Sequence, residues 1–96
     1  MTQTAQQPLL IFFTSTKNGQ CRRAEGYLAQ VLQRRRNHET FKLRMIAQEE
    51  HPDLLVRFRV DTTPTLLVVD EKIVRGKLVE PRGCGEIQTF LAPWLK

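Results

Sequence analysis

Two short runs of apolar residues constrain the fold of this chain more than any other feature of its sequence. One run is Leu9–Phe13, and the other is Thr65–Val69, in which every residue after the threonine is apolar. Consecutive apolar residues are typical of a strand that is buried on both faces, as in a sheet covered by helices. The two runs therefore predict two central strands of such a sheet.

The segment after the first run predicts a helix and then a more exposed strand. From Cys21 onward, apolar residues recur at helical spacing and polar residues fill the opposite side, which predicts an amphipathic helix over residues 19–36. Asn18 is the expected N-cap, because its side-chain oxygen can accept a hydrogen bond from the amide of residue 20 or 21. Residues 41–45 alternate apolar and polar side chains, which predicts a strand with one exposed face.

The second half of the chain predicts two helices and a hairpin. Pro52 suits the first position of a helix whose buried side is expected to contain Leu54, Leu55 and Phe58. After the second apolar run, a turn at residues 70–72 leads to short strands at residues 73–74 and 77–79. A last helix is predicted from apolar residues at helical spacing: Ile87, Phe90, Leu91, Trp94 and Leu95.

The predicted order of elements is β-α-β-α-β-β-α, which places the chain in the α/β class. A helix between the first two strands implies a parallel crossover, and the closeness of the last two strands implies an antiparallel hairpin. We therefore expect a mixed four-stranded sheet with three helices on its faces. The 96 residues suffice for one domain, which we place at residues 9–96, after a polar N-terminal lead of residues 1–8.

Composition and charge limit the partners of the chain. The net charge of +5 favours an acidic partner, and the densest basic cluster is Arg34–Arg36, preceded by Arg22 and Arg23. Most aromatic side chains fit the core pattern, so nucleic acid is not favoured and we expect a protein or peptide partner. No apolar run approaches the length of a membrane span, and no signal-peptide pattern opens the sequence. We therefore expect a cytoplasmic protein that does not enter the membrane.

The two cysteines, Cys21 and Cys84, are too few for a disulfide-stapled scaffold. They are also too few for a structural zinc site without help from histidines, and His38 and His51 do not have the spacing of a zinc finger. We therefore expect neither a metal site nor a bound cofactor.

Three segments resemble the thioredoxin/glutaredoxin superfamily. Residues 18–24, Asn-Gly-Gln-Cys-Arg-Arg-Ala, look like the family's Cys-Gly-Pro-Cys-Lys segment at the start of a helix. Residues 60–67 end in Thr-Pro-Thr-Leu-Leu and are similar to the family's Ile/Val-Pro-Thr-Leu segment. Residues 85–91 look like the family's last helix. The first strand and helix of full thioredoxins have no counterpart, so the layout is closer to the glutaredoxin core.

The resemblance implies a thioredoxin-like fold with a peptide-binding surface. It implies that the Thr63–Pro64 peptide bond is cis, which leaves the backbone before the proline free to pair with an extended peptide. The binding residues implied in this way are Asn18, Gly19, Gln20, Thr63 and Pro64.

The chain departs from the family at the residues that carry its chemistry. Asn18 stands where the attacking cysteine is expected, and Gln20 stands where the proline is expected. Phe12 takes the place of the buried acid of thioredoxins. The family's reaction begins with a thiolate attacking a disulfide, and asparagine cannot perform this attack. We therefore expect no dithiol activity, including no insulin-type disulfide reduction.

The role of Cys21 has two interpretations. In the first, Cys21 is a catalytic thiol that works alone, favoured by the helix N-terminus and the neighbouring basic residues. In the second, Cys21 is a small buried side chain of the first helical turn. Cys84, at the start of the last helix, is a candidate second thiol, provided that its Cα lies within about 7 Å of that of Cys21.

Two hypotheses about function follow. In the first, the chain is a non-classical thioredoxin-like protein that binds a protein partner through the Pro64 loop and the basic face. In the second, it is a divergent thiol-disulfide oxidoreductase that works through Cys21. Glutathione binding and the oligomeric state stay open at the level of sequence, as does whether the chain is an enzyme.

Overall fold

The computed structural model describes residues 7–34 and 39–95. Residues 1–6 of the predicted lead, residues 35–36 of the predicted first helix and basic cluster, and His38 lie outside the described residues. The elements in chain order are strand β1 (Leu9–Thr14), helix α1 (Gly19–Gln33), strand β2 (Lys42–Ala47), helix α2 (Pro52–Arg57), strand β3 (Thr65–Asp70), strand β4 (Ile73–Val79) and helix α3 (Cys84–Leu91).

The strands form one sheet in the order β2-β1-β3-β4. β1 pairs with β2 in parallel, and the β1–β3 and β3–β4 pairs are antiparallel. Both apolar runs are central strands, as predicted from their consecutive apolar residues. The α/β class, the mixed four-stranded sheet and the three helices are confirmed.

Side chains of β1 alternate between two cores on opposite faces of the sheet. Leu10 and Phe12 are fully buried on the face that packs against α1 and α3. Ile11 and Phe13 point to the other face, where Leu55 of α2 joins them. Burial on both faces explains why the sequence of β1 has no polar residue before its final threonine.

The final hairpin has one continuous strand where two short ones were predicted. β4 runs from Ile73 to Val79 and pairs with β3 along its length, with an irregularity opposite Val68 and Val69. Backbone pairing with β3 continues through residues whose side chains do not show a strand pattern. The turn before β4 contains Glu71 and Lys72, both at positive φ, as in the tight two-residue turns that match the twist of a hairpin.

Gly76 lies in the middle of β4, where the Phe90 side chain of α3 comes close to the strand. A Cβ atom at this position would lie 2.9 Å from Cε1 of Phe90. The missing side chain therefore allows the Phe90 ring to pack directly on the strand.

Helix α2 begins at Pro52, as predicted, but it is short and covers only part of its face of the sheet. Of the three residues predicted on its buried side, Leu55 is buried, whereas Leu54 and Phe58 are only half-buried. A helix of six residues is too short to enclose three large side chains.

Helix α3 ends at Leu91, one turn earlier than the apolar pattern suggested. Trp94 and Leu95 follow in turns and still pack against the core beside α3. Within the parts of the chain that the structure describes, no helix combines the length and the apolar composition needed to cross a bilayer.

Candidate functional site

The candidate site begins where β1 ends and α1 starts. Asn18 is the N-cap of α1, as predicted, because its Oδ1 accepts a hydrogen bond of 2.9 Å from the amide of Gln20. Its backbone carbonyl accepts a second one of 3.1 Å from the amide of Cys21. Asn18 thus satisfies two of the amides that a helix start leaves without partners.

The side chain of Asn18 also connects α1 to the loop before β3. Its Nδ2 donates a hydrogen bond of 3.3 Å to the carbonyl oxygen of Thr63. The Thr63 hydroxyl donates to Oε1 of Gln48 at 3.1 Å, which joins the loop after β2 to the same cluster. The structure therefore brings together the Asn18 segment and the Pro64 segment, although they lie far apart in the sequence.

The Thr63–Pro64 peptide bond is cis. The ring of Pro64 is fully buried, and its carbonyl accepts a hydrogen bond of 2.7 Å from the amide of Glu80. Thr62 is exposed, and the Thr63 amide has no hydrogen-bond partner within the described residues. Of the two predicted binding residues in this loop, Thr63 has an amide without a partner but is only 8% exposed, and the Pro64 side chain offers no contact surface.

Cys21 lies in the first turn of α1 and points into the protein. Its side chain is only 1% exposed, and its Sγ accepts a hydrogen bond of 3.3 Å from the amide of Ser15. Gly19 and Gln20, the two predicted site residues just before it, are exposed. The accessible surface of residues 19–21 therefore consists of backbone and the Gln20 amide, without the thiol of Cys21.

Cys84 lies in the first turn of α3 and is half-buried against α1. Its thiol contacts Oε1 of Gln30 at 3.0 Å and the carbonyl of Tyr27 at 3.7 Å. Tyr27 is six residues beyond Cys21, about 9 Å along the helix axis. Both cysteines are free, and the structure does not bring Cys84 into the cluster around Asn18.

Glu49 fixes the loop between β1 and α1, a role that the sequence analysis missed. Its carboxylate accepts hydrogen bonds from the Ser15 hydroxyl and, at 3.2 Å, from the Thr16 amide. These bonds, the Ser15 bond foremost, lower the pKa of Glu49 below the ordinary carboxyl value. The parallel pairing of β1 and β2 brings the two segments together, because the carboxyl ends of parallel strands meet at one edge of a sheet, but nothing in the sequence singles out Glu49 among the residues there.

Glu49→Gln is expected to remove a pH-dependent contribution to stability. A lowered folded-state pKa stabilises the fold at pH values above the unfolded carboxyl pKa, near 4.5. That contribution is lost as pH falls through the folded-state pKa. Urea unfolding should therefore show wild type as the more stable protein at neutral pH, with the difference shrinking in acid. The matched control is Glu50→Gln, which removes a neighbouring exposed carboxyl. An equal effect of the two substitutions would mean that Glu49 contributes only its charge.

Two open clefts flank the start of α1. One, of about 430 Å³, lies along residues 14–19 and is bordered by Arg22 and Glu25. The other, of about 380 Å³, lies between α1 and the loop after β4 and is lined by Gln20, Arg23, Tyr27, Pro81 and Arg82. The described lining of the two clefts contains Lys17, Arg22, Arg23 and Arg82 against one carboxylate, Glu25, which gives this end of the molecule an excess of positive charge.

A mixed sheet of this topology, with a helix that starts beside a buried X-Pro loop, defines a thioredoxin-like domain. The chain belongs to the thioredoxin family, since the family model described as Thioredoxin matches residues 1–93. A search of curated protein sequences gives no significant match.

Solved structures similar to this chain include three thioredoxins or thioredoxin-like proteins. Thioredoxin O2 from Arabidopsis thaliana has a TM-score of 0.78 at 14% identity, covering 94% of this chain and 76% of its own. Trxlp from Edwardsiella tarda EIB202 has a TM-score of 0.76 at 18% identity, and the match covers 88% of this chain and 82% of Trxlp. Mitochondrial thioredoxin 3 from Saccharomyces cerevisiae has a TM-score of 0.67 at 22% identity. The match covers 76% of this chain and 66% of the yeast protein. At these identities the similarity is one of fold.

Proposed function

We propose that this thioredoxin-family protein binds an extended, acidic peptide segment of a protein partner at the start of α1 and the Pro64 loop, without dithiol exchange. The observation that carries the proposal is the state of the motif. Its one thiol, on Cys21, is 1% exposed, and by the family resemblance Asn18 stands where the attacking cysteine is expected. An amide side chain has no nucleophile with which to open a disulfide.

The contacts of Asn18 support a role in organising a binding surface. Its Oδ1 caps α1 while its Nδ2 holds the carbonyl of Thr63, so one side chain fixes the relative position of both segments. The Thr63 amide, on a residue that is 8% exposed and without a partner for this amide among the described residues, would pair with the backbone of an extended peptide. Gly19, Gln20 and Thr62 are exposed around it and offer further contact area.

The charge around this surface supports an acidic partner. Arg22 and Arg23 are exposed on the first turns of α1, and Arg82 lies across the second cleft. The net charge of the chain is +5. Complementary charge at the edge of a binding site speeds association and excludes partners of the same charge.

A second candidate function is thiol chemistry at Cys21 alone. Two observations favour it: the thiol lies in the first turn of a helix, and the Ser15 amide donates a hydrogen bond to its sulfur. A thiolate formed there would have a hydrogen-bond donor. This function needs the side chain to become accessible, because the sulfur is buried in the folded protein.

Cys21→Ser separates the two functions. Peptides selected on the wild-type protein from a random-sequence display library are expected to bind the variant with an affinity within about twofold. Their binding should shift the amide resonances of residues 18–20 and 62–63. Peptides that are captured only through a cysteine of their own, and are lost on Cys21→Ser, would instead establish the thiol function.

Alkylation of the native protein supplies the accessibility control. Iodoacetamide is expected to modify the half-buried Cys84 readily and to leave Cys21 unmodified until the protein unfolds, as read by mass spectrometry. Rapid modification of Cys21 in the native protein would contradict the binding-module proposal and favour thiol chemistry.

A further inference from the structure

A groove lies on the face of the sheet that α2 covers incompletely. Its floor consists of Leu9 and Ile11 of β1 and Ile46 of β2, and its wall consists of Leu54 of α2 and Phe58, the residue that follows α2. Its volume is about 310 Å³. Leu54 and Phe58 keep part of their surface exposed there, so the groove is an apolar surface without a complete cover.

This groove is separate from the site at the start of α1. It lies beside the amino-terminal half of β1, whereas Asn18 follows the carboxyl end of the same strand. The two ends of β1 are about 17 Å apart, since a strand rises about 3.3 Å per residue. A ligand in the groove would therefore not contact the residues of the proposed peptide site.

Among the described residues that line the groove, three are cations and none is a carboxylate. Lys42 and Arg44 lie on β2, and Arg57 lies on α2, with all three side chains exposed. Within residues 7–34 and 39–95, none of the three side chains makes a hydrogen bond or an ion pair. The border thus presents unneutralised positive charge around an apolar floor.

We propose that this groove binds an acidic amphipathic helix of a protein partner. The apolar side of such a helix would cover the floor, and its carboxylates would lie against Lys42, Arg44 and Arg57. The length fits, because the six residues of β2 extend about 17 Å, which corresponds to about 11 residues of helix. A second copy of this chain fits the charge less well, because it carries the same net charge of +5.

The test uses a synthetic peptide of about 14 residues with leucines at helical spacing and glutamates on either side of them. Added to the isotope-labelled protein, it is expected to shift the amide resonances of β2 and α2 and leave those of residues 18–20 unchanged. Arg44→Glu/Arg57→Glu should weaken its binding about tenfold. The control Lys72→Glu/Arg75→Glu makes the same change in charge at the other edge of the sheet and should change the affinity less than about twofold.

A second pair of variants tests the apolar floor within one helix. Leu54→Ser should weaken the peptide about tenfold, because Leu54 lines the groove. Val56→Ser removes a side chain of α2 that is 79% exposed outside the groove and should leave the affinity unchanged. Equal effects of the two substitutions would overturn the proposal, because the loss would then come from the helix itself.

Three further outcomes would overturn the proposal. The first is equal binding of a matched peptide with lysines in place of the glutamates. The second is self-association of the protein that shifts the same resonances as its concentration rises. The third is binding of phosphatidylserine vesicles or single-stranded DNA that is stronger than peptide binding and equally sensitive to Arg44→Glu/Arg57→Glu. None of these results would affect the peptide site at Asn18, which involves other residues.

Discussion

Asn18→Cys is expected to give this protein a disulfide reductase activity at least about a hundredfold above that of the wild type. The substitution places a thiol at the N-cap of α1, three residues before Cys21. At a helix N-terminus the unpaired amides and the helix dipole favour the thiolate form, which is the attacking species. The wild type has no group at this position that can begin the reaction.

The two thiols of the variant, at positions 18 and 21, supply the two electrons that reduce one substrate disulfide. The introduced thiolate attacks one sulfur of a substrate disulfide, and the other sulfur leaves as a thiol after taking up a proton. Cys21 then attacks the mixed disulfide, which releases the second substrate thiol and leaves an oxidised pair in the motif. The rate should stay below that of a complete dithiol protein, because Phe12 provides no carboxylate to accept the proton of Cys21.

Reduction of insulin or of a small aromatic disulfide measures this gain, with dithiothreitol as the reductant that returns the oxidised pair to two thiols after each turnover. Asn18→Ser is the matched control, since serine retains an N-cap oxygen but has no thiol. Asn18→Cys/Cys21→Ser should stop at the mixed disulfide, which mass spectrometry would detect without turnover. An inactive Asn18→Cys protein that forms no mixed disulfide would show that the start of α1 is not accessible to a disulfide. Activity of the wild type equal to that of the variant would contradict the proposed function.

The sequence predicts those parts of the fold in which the local pattern of residues agrees with their burial in the tertiary structure. Leu9–Phe13 is apolar throughout because both faces of β1 are buried, and this burial is visible in the sequence without any knowledge of the partners. Asn18 caps α1 by accepting a hydrogen bond from the amide of Gln20, two residues further along the chain. This role is therefore also visible in the local sequence.

The parts that escaped prediction depend on contacts between distant segments. β4 looked like two strands because Arg75 and Gly76 interrupt its pattern. Arg75 is the residue without a β3 partner at the irregularity in the pairing, and Gly76 makes room for the Phe90 ring. Leu54 and Phe58 have the spacing of a buried helix side, and only the shortness of α2 leaves them half-exposed. The sequence identifies the apolar residues that line the groove, but only the structure shows that α2 leaves this part of the sheet uncovered.

The same distinction applies to the candidate site. The sequence placed Asn18 and Thr63 in one site through the family resemblance, and the structure places a hydrogen bond of 3.3 Å between them. Glu49 was not predicted because an exposed glutamate after a strand has no distinctive pattern. Its contact with Ser15 arises only from the parallel register of β1 and β2.

Phe12→Ala is expected to lower the free energy of unfolding by about 3–5 kcal/mol. Phe12 is 0% exposed and lies in the core between the sheet and helices α1 and α3. Removing its ring loses the burial of a large apolar surface and leaves a cavity that the rigid sheet cannot close. Since domains of this kind are stable by only about 5–15 kcal/mol, the loss would leave a substantial unfolded fraction.

Urea unfolding measures the effect, and Phe58→Ala is the control within the same protein. Phe58 is also aromatic and contacts Phe13, with 5.9 Å between the ring centres, but it is half-exposed beside the groove and should cost clearly less. The comparison also bears on function, because Phe12 stands where the family resemblance implies a buried acid. A large loss at Phe12 would mean that this position now contributes packing where thioredoxins use proton transfer. If Phe12→Ala lowers the free energy of unfolding no more than Phe58→Ala does, the ring of Phe12 is not needed for the core. Packing would then not explain why phenylalanine stands in place of the buried acid.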